Sequence, residues 1–266
     1  MILKGIRGLI ITCLAIMTLY QGGRAWHYAF PGPEARRIQR LFRFSQRELG
    51  DLLDGVKLRF VDDLEWVVVM DREGRIHGQQ AIDEHGSAQQ VLEDVSARTH
   101  IHWSELQVEQ FAIGGVYTPS KRLIRISLSS GPELHIGGHE IAHAALNVPY
   151  ERVDRAQVRT ASSVGEALAD ALGGIDLVAE FKVTEEHMPV NEVSQQRTEV
   201  MDEFWRLSDA NPDPRLSSGS EALMERYRHS VVVHAIVDKI VNQDISLRDK
   251  FVLGRKAILL HTMTIE

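Results

Sequence analysis

Residues 139–143 read His-Glu-Ile-Ala-His, two imidazoles four positions apart with a carboxylate beside the first. On a helix His139 and His143 stack on one face and can grip the same ion. Glu140 follows the first histidine and reaches the open coordination position, where a water would sit. Two imidazoles, one more ligand and a polarised water with a carboxylate base are the parts of zinc-assisted hydrolysis. The chain holds 12 histidines, so the spacing needs support from its surroundings. The flanks supply it: Leu134-His135-Ile136-Gly137-Gly138 before and Ala144-Ala145-Leu146 after describe an apolar helix with small residues where a partner helix packs closely.

A catalytic zinc takes three protein ligands and keeps one position open. The extension that would add Gly and a third His at fixed offsets is missing, because those positions hold Leu146 and Pro149. The better candidate is Val164-Gly165-Glu166-Ala167-Leu168-Ala169-Asp170. It is apolar at helical spacing, opens after Ser162-Ser163 and puts Glu166 and Asp170 on one face. An antiparallel return from the first helix sets Glu166 beside His139 and His143. Asp170, one turn on, then accepts the free N–H of a ligand histidine and holds its tautomer. Asp154, Asp170 itself and Glu180 are the alternative third ligands.

His139-Glu140-Ile141-Ala142-His143 followed by Gly165-Glu166-Ala167-Leu168-Ala169-Asp170 resembles the gluzincin branch of zinc metallopeptidases, the thermolysin-like enzymes, over about residues 123–180. The resemblance implies an α+β fold, a zincin-like metallopeptidase domain with an N-terminal mixed sheet, the HExxH helix and a helical C-terminal lobe closing the cleft. It implies Zn2+ on His139, His143 and Glu166, with Asp170 behind them and Glu140 as general base. The activity implied is that of an endopeptidase on peptide or protein substrates. The gap from His143 to Glu166 is longer than in the thermolysin-like pattern, so residues 147–160 must be arranged differently. A donor for the developing oxyanion is also required. Tyr150, Tyr227, His229 and His234 are of the right type, and Tyr227 and His234 lie in the C-terminal helical region where the resembling enzymes keep such donors. Two other readings stay open: a membrane-tethered binding or scaffold protein with a structural or inactive metal site, and a zinc amidohydrolase acting on a non-peptide substrate.

The elements that must position this chemistry follow from the hydrophobic pattern. Residues 34–54 predict a helix with Ile38, Leu41, Phe42, Leu49, Leu52 and Leu53 as its stripe and five arginines from Arg36 to Arg47 on the other side. Such a face suits either solvent over a core or anionic lipid headgroups. Residues 57–80 predict strands around Asp-Arg-Glu-Gly, and residues 86–98 a short helix. Two strands, 111–116 and 123–128, are expected around the turn Tyr117-Thr118-Pro119-Ser120-Lys121. The resemblance makes the second the upper rim of the cleft, with an open edge for an extended peptide. Residues 193–207 and 220–241 predict helices.

At 266 residues with 44% hydrophobic and 25% charged content, the chain suits one large domain or two small ones. A net charge of -7 leaves no footprint for nucleic acid. Cys13 stands alone, so no internal disulfide or cysteine metal site is possible. Lys4 and Arg7 precede an apolar run from Leu9 to Tyr20, and Gly23 and Ala25 follow, the layout of a signal peptide or membrane anchor. The expected organisation is residues 1–25 as that segment, 26–55 as an amphipathic basic helix or linker, and 56–266 as the catalytic domain. The domain is expected outside the cytoplasm, membrane-associated through its N-terminus. Arg24, Arg36, Arg37, Arg40 and Arg43 beyond the apolar run argue weakly for the opposite orientation.

Overall fold

The computed structural model describes residues 32–147, 164–209 and 231–262. The N-terminal apolar run, Tyr150, Asp154, Tyr227 and His229 lie outside them.

Helix α1 (Pro33–Leu49) opens on a proline, whose missing N–H has no partner to lose in a first turn. Ala35, Ile38, Leu41, Phe42, Phe44 and Leu49 form its buried stripe. Gly50, at φ +55°, ends the helix earlier than the hydrophobic pattern suggests. The next turn, Gly50–Leu53, is 3-10 and still delivers Leu52 and Leu53 to the core. Arginines of α1 face outward: Arg37 donates to both oxygens of Glu186 at 2.8 Å, and Arg40 reaches the same carboxylate at 3.3 Å.

Strands β1 (Lys57–Val61), β2 (Leu64–Asp71) and β3 (Ile76–Asp83) follow, then helix α2 (Ala88–Thr99), strands β4 (Leu106–Ala112), β5 (Gly115–Thr118) and β6 (Leu123–Ser127), and helix α3 (Leu134–Leu146). Helix α4 covers residues 164–184; its middle, Ala169–Leu177, is π-helical, and Val178–Thr184 returns to α. Helices α5 (Val190–Asp209), α6 (Val231–Val241) and α7 (Leu247–Thr262) complete an α+β architecture. No helix among the described residues is long and apolar enough to cross a membrane.

The strands make two sheets rather than the expected single mixed one. One is mixed, in the order β1–β6–β5, with β1 parallel and β5 antiparallel to β6; the other is antiparallel, β3–β2–β4. Residues 111–116, expected as one strand, are divided between them. The chain crosses at Ile113–Gly114, where Gly114 lies against Ile136 and a Cβ would come within 2.5 Å of that side chain. Tyr117 and Thr118 belong to β5 rather than to the turn, which is Pro119–Lys121. The expected open rim is also corrected. β6 is central, paired on both sides, and β5 is the edge strand.

Two apolar cores result among the described residues. The larger joins α1, Ile124 and Ile126 of β6, both faces of α3, the buried length of α4, and Val233, Val237 and Phe251 from the last two helices. The smaller lies under α2, where Val91, Leu92 and Val95 meet Val67, Val69, Ile82 and Leu106. Arg125 bridges the sheets: Nη1 donates to Asp83 Oδ2 at 3.1 Å and Nη2 to the Ala81 carbonyl at 3.2 Å.

Candidate metal centre

Helices α3 and α4 touch backbone to backbone. A Cβ on Gly138 would stand 2.3 Å from the Gly173 carbonyl oxygen, and one on Gly173 the same distance from the Gly138 carbonyl oxygen. Each glycine costs a helix roughly 0.5–1 kcal/mol relative to alanine, and here the close approach is what it permits. On the other side of α3, Gly137 receives Ile38 of α1, which a Cβ would meet at 2.9 Å. Helix α3 is thus clamped between two others, and its histidines face α4 at short range.

Three ligand-type atoms converge at this crossing. His143 Nε2 lies 2.9 Å from His139 Nε2 and 3.2 Å from Glu166 Oε2. His139 Nε2 is 3.5 Å from the same oxygen. A tetrahedral zinc with bonds of about 2.0–2.1 Å places its ligands about 3.3 Å apart, so this two-nitrogen, one-oxygen set fits that ion. Among the described residues, no other three His, Cys, Asp or Glu side chains converge in this way. Behind the triad, His139 Nδ1 donates to Asp170 Oδ1 at 2.7 Å, which leaves the Nε2 lone pair aimed at the centre. Asp170 sits within the π-helical stretch, a rare geometry often found at functional sites. The sequence pattern reads there as plain helix; its one clue is Gly173-Gly174 inside an apolar run.

Electrostatics follow from this crowding. Burial disfavours the charged form of His139, but bonds to Asp170 and Glu166 outweigh it and hold its pKa well above the ordinary histidine value. Burial likewise opposes a charge on His143, and the Glu166 carboxylate raises it nonetheless. Burial pushes Glu166 up, yet the two histidines overcome it and hold the carboxyl well below the usual range. Lone pairs this close require positive charge between them, and without a metal, protons supply it.

Glu140 is buried on α3 at 7% exposure. Burial is the main cause of its raised pKa, with Glu166 adding to it; His139, His143 and the backbone N–H of Tyr117 pull the other way. That N–H belongs to β5, and Gly115 of the same strand leaves the room: a Cβ there would stand 2.8 Å from Glu140 Cγ. The edge strand therefore fixes the carboxylate, a contact no residue pattern announces because its donor is backbone.

The structure brings together His139, Glu140, His143, Glu166 and Asp170. Asp170 bonds the back of a histidine and takes no place in the triad. Glu180 lies farther along α4 and is exposed, its pKa raised by partial desolvation and by Glu48 and Asp176. His234 is half-buried on α6, between the core residues Val233 and Val237. Asp154 and Tyr227 lie outside the described residues. No protein-family model, curated protein or solved structure matches this chain.

Proposed function

We propose that this chain is a zinc-dependent peptidase, an endopeptidase built on a zincin-like arrangement of its α+β fold. The observation that carries the reading is the convergence of His139, His143 and Glu166 within 2.9–3.5 Å of one another. Asp170 backs the triad and the buried Glu140 flanks it. A metal held by three protein ligands acts as a Lewis acid at its open position, lowering the pKa of water there toward about 7.

The side chains divide the remaining work. His139, oriented by Asp170, and His143 present neutral nitrogens, and Glu166 contributes the negative charge. Glu140 takes the proton of the attacking water on its carboxylate and passes it to the leaving amine. A carboxyl moved toward neutrality by burial is better matched to both halves of that transfer. An extended peptide laid along the edge strand β5 would carry its carbonyl past Glu140, using main-chain hydrogen bonds. The basic and apolar start of the sequence would set this activity at or beyond a membrane, which a phosphatase reporter fused after Glu266 tests directly.

The central test uses the purified full chain, zinc analysis and a peptide library. The expected result is about one zinc per chain and cleavage by the wild type, with Glu140→Gln retaining zinc and losing roughly 10²–10⁴-fold or more of the rate. A chain that takes up no zinc overturns the reading. Zinc uptake with no cleavage of any peptide favours the scaffold protein with a structural site.

A further inference from the structure

Four residues before His139, His135 lies on the same face of α3 and turns toward the same carboxylate. Its Nε2 is 3.9 Å from Asp170 Oδ1, the oxygen that His139 Nδ1 holds at 2.7 Å. Its Nδ1 is 3.2 Å from the Gly174 carbonyl oxygen. The ring has this seat only because residue 174 is glycine: a Cβ there would stand 2.4 Å from His135 Cε1 and 2.6 Å from Nδ1. The imidazole is half exposed, and with Gly174 it lines a surface cleft walled by Arg37, Glu133, Lys182 and Arg197. Asp170 does not reach that cleft. His135 therefore stands between it and the carboxylate.

We infer that His135 is a positioning residue of the metal centre, setting how firmly Asp170 holds His139 and so how tightly the triad binds zinc. This rests on the zinc reading above. A separation of 3.9 Å is too long for a hydrogen bond. It is short enough for an imidazole to act on the buried Asp170 carboxylate through its charge distribution and to keep water off it. With the ring removed, the cleft opens onto Asp170, and water competes with His139 Nδ1–H for Oδ1. A loosened His139 swings its Nε2 off the triad, and affinity falls.

The test is zinc affinity of the full chain, measured by competition with a chromogenic chelator, alongside the melting temperature of each metal-free variant. His135→Ala is expected to weaken zinc binding roughly 10-fold, the scale of an outer partner of a metal ligand, with the metal-free melting temperature nearly unchanged. His135→Gln, which keeps the bulk and a polar end, restores most of the affinity. In an Asp170→Asn background, His135→Ala costs nothing further. Gly174→Ala displaces the same ring without altering it and is expected to weaken zinc in the same direction, which keeps the test sound if His135→Ala folds poorly. Unchanged affinity in both His135→Ala and Gly174→Ala overturns the inference, as does an equal loss with Asp170 already removed. A wild-type chain that binds no zinc, or one whose affinity survives His139→Ala, overturns the zinc reading instead.

Discussion

Two histidines in this molecule lean on buried aspartates at almost the same distance. His77 Nε2 is 2.8 Å from Asp71 Oδ2 at the β2–β3 hairpin, and His139 Nδ1 is 2.7 Å from Asp170 Oδ1 at the helix crossing. Their surroundings differ. At the hairpin, Asp71 Oδ1 accepts the N–H groups of Glu73 and Arg75 at 3.0 Å each, and Arg75 Nε donates to Oδ2 at 2.7 Å. Every partner lies within six residues of Asp71, so the cluster closes a turn. At the crossing the partners are 31 residues apart, and the far nitrogen of His139 faces His143 and Glu166. A His–Asp pair is a fastener in the first place and, on the function proposed here, the outer layer of a metal site in the second. What separates them is the company at the other ring nitrogen.

The largest expected difference is in zinc uptake. His139→Ala, His143→Ala and Glu166→Ala should each weaken zinc binding by more than about 100-fold, beyond the 10–100-fold that outer partners are worth. His77→Ala should leave it unchanged. Full zinc occupancy in His139→Ala would remove the triad from consideration, and zinc loss in His77→Ala would break the comparison.

The aspartates sharpen the contrast at a smaller scale. Asp170→Asn turns the hydrogen-bond partner of His139 neutral, and a fall of about 10–100-fold in zinc affinity is expected. Asp71→Asn at the hairpin should not move it. Chelator competition on both variants decides this, and equal affinities would mean that Asp170 is only structural.

Proton linkage gives a third, smaller difference. Without metal, His139 and His143 have folded pKa values above their reference of 6.5. Their contribution to stability is therefore complete below pH 6.5 and is lost as pH rises through the raised values. Glu166, depressed below its reference of 4.5, contributes above that pH and loses its contribution as pH falls. Glu140, raised by burial, acts against Glu166 and flattens the acid side, so the alkaline limb is the readable one. Zinc must displace protons from both imidazoles, so its affinity climbs with pH where the metal-free protein weakens. The rise in melting temperature on adding zinc should grow between about pH 6 and pH 8. A constant zinc-induced shift across that range would mean that these histidines carry no proton for the metal to displace.

Helical periodicity makes much of this site legible in the residues. His139 and His143 on one face, and Glu166 and Asp170 on another, need only one tertiary assumption, an antiparallel return. The stripe of α1 is equally plain, apart from its end, where a positive φ at Gly50 overrides a pattern that continues to Leu53. Strand order is different, because pairing is not local. Nothing within Leu123–Ser127 announces that β1, far earlier in the chain, takes the edge that would otherwise be open. The π-helical stretch at Asp170 and the Tyr117 N–H on Glu140 depend on backbone geometry, to which side-chain pattern is blind. Gly138 and Gly173 could be read as small residues for close packing, but only the structure shows that they pack against each other.

The smallest effect belongs to the hairpin. Bonds from His77, the Arg75 and Glu73 N–H groups and the Arg75 guanidinium hold the Asp71 carboxyl well below the usual range, against the burial that would raise it. A depressed folded pKa means stability that is present above the reference value of 3.8 and disappears as pH falls below it. Asp71→Asn keeps the shape but surrenders the charge, so it should lower the melting temperature by a few degrees at neutral pH. The deficit should shrink as the wild type is itself protonated in acid. A scan of both proteins from neutral pH into the acid range checks this by calorimetry, with zinc present and absent. Because the hairpin lies in the antiparallel sheet and its bonds are all local, the deficit should be the same in both series. A deficit that depended on zinc would show that the two His–Asp pairs are energetically coupled, and the hairpin would then be part of the metal site's support.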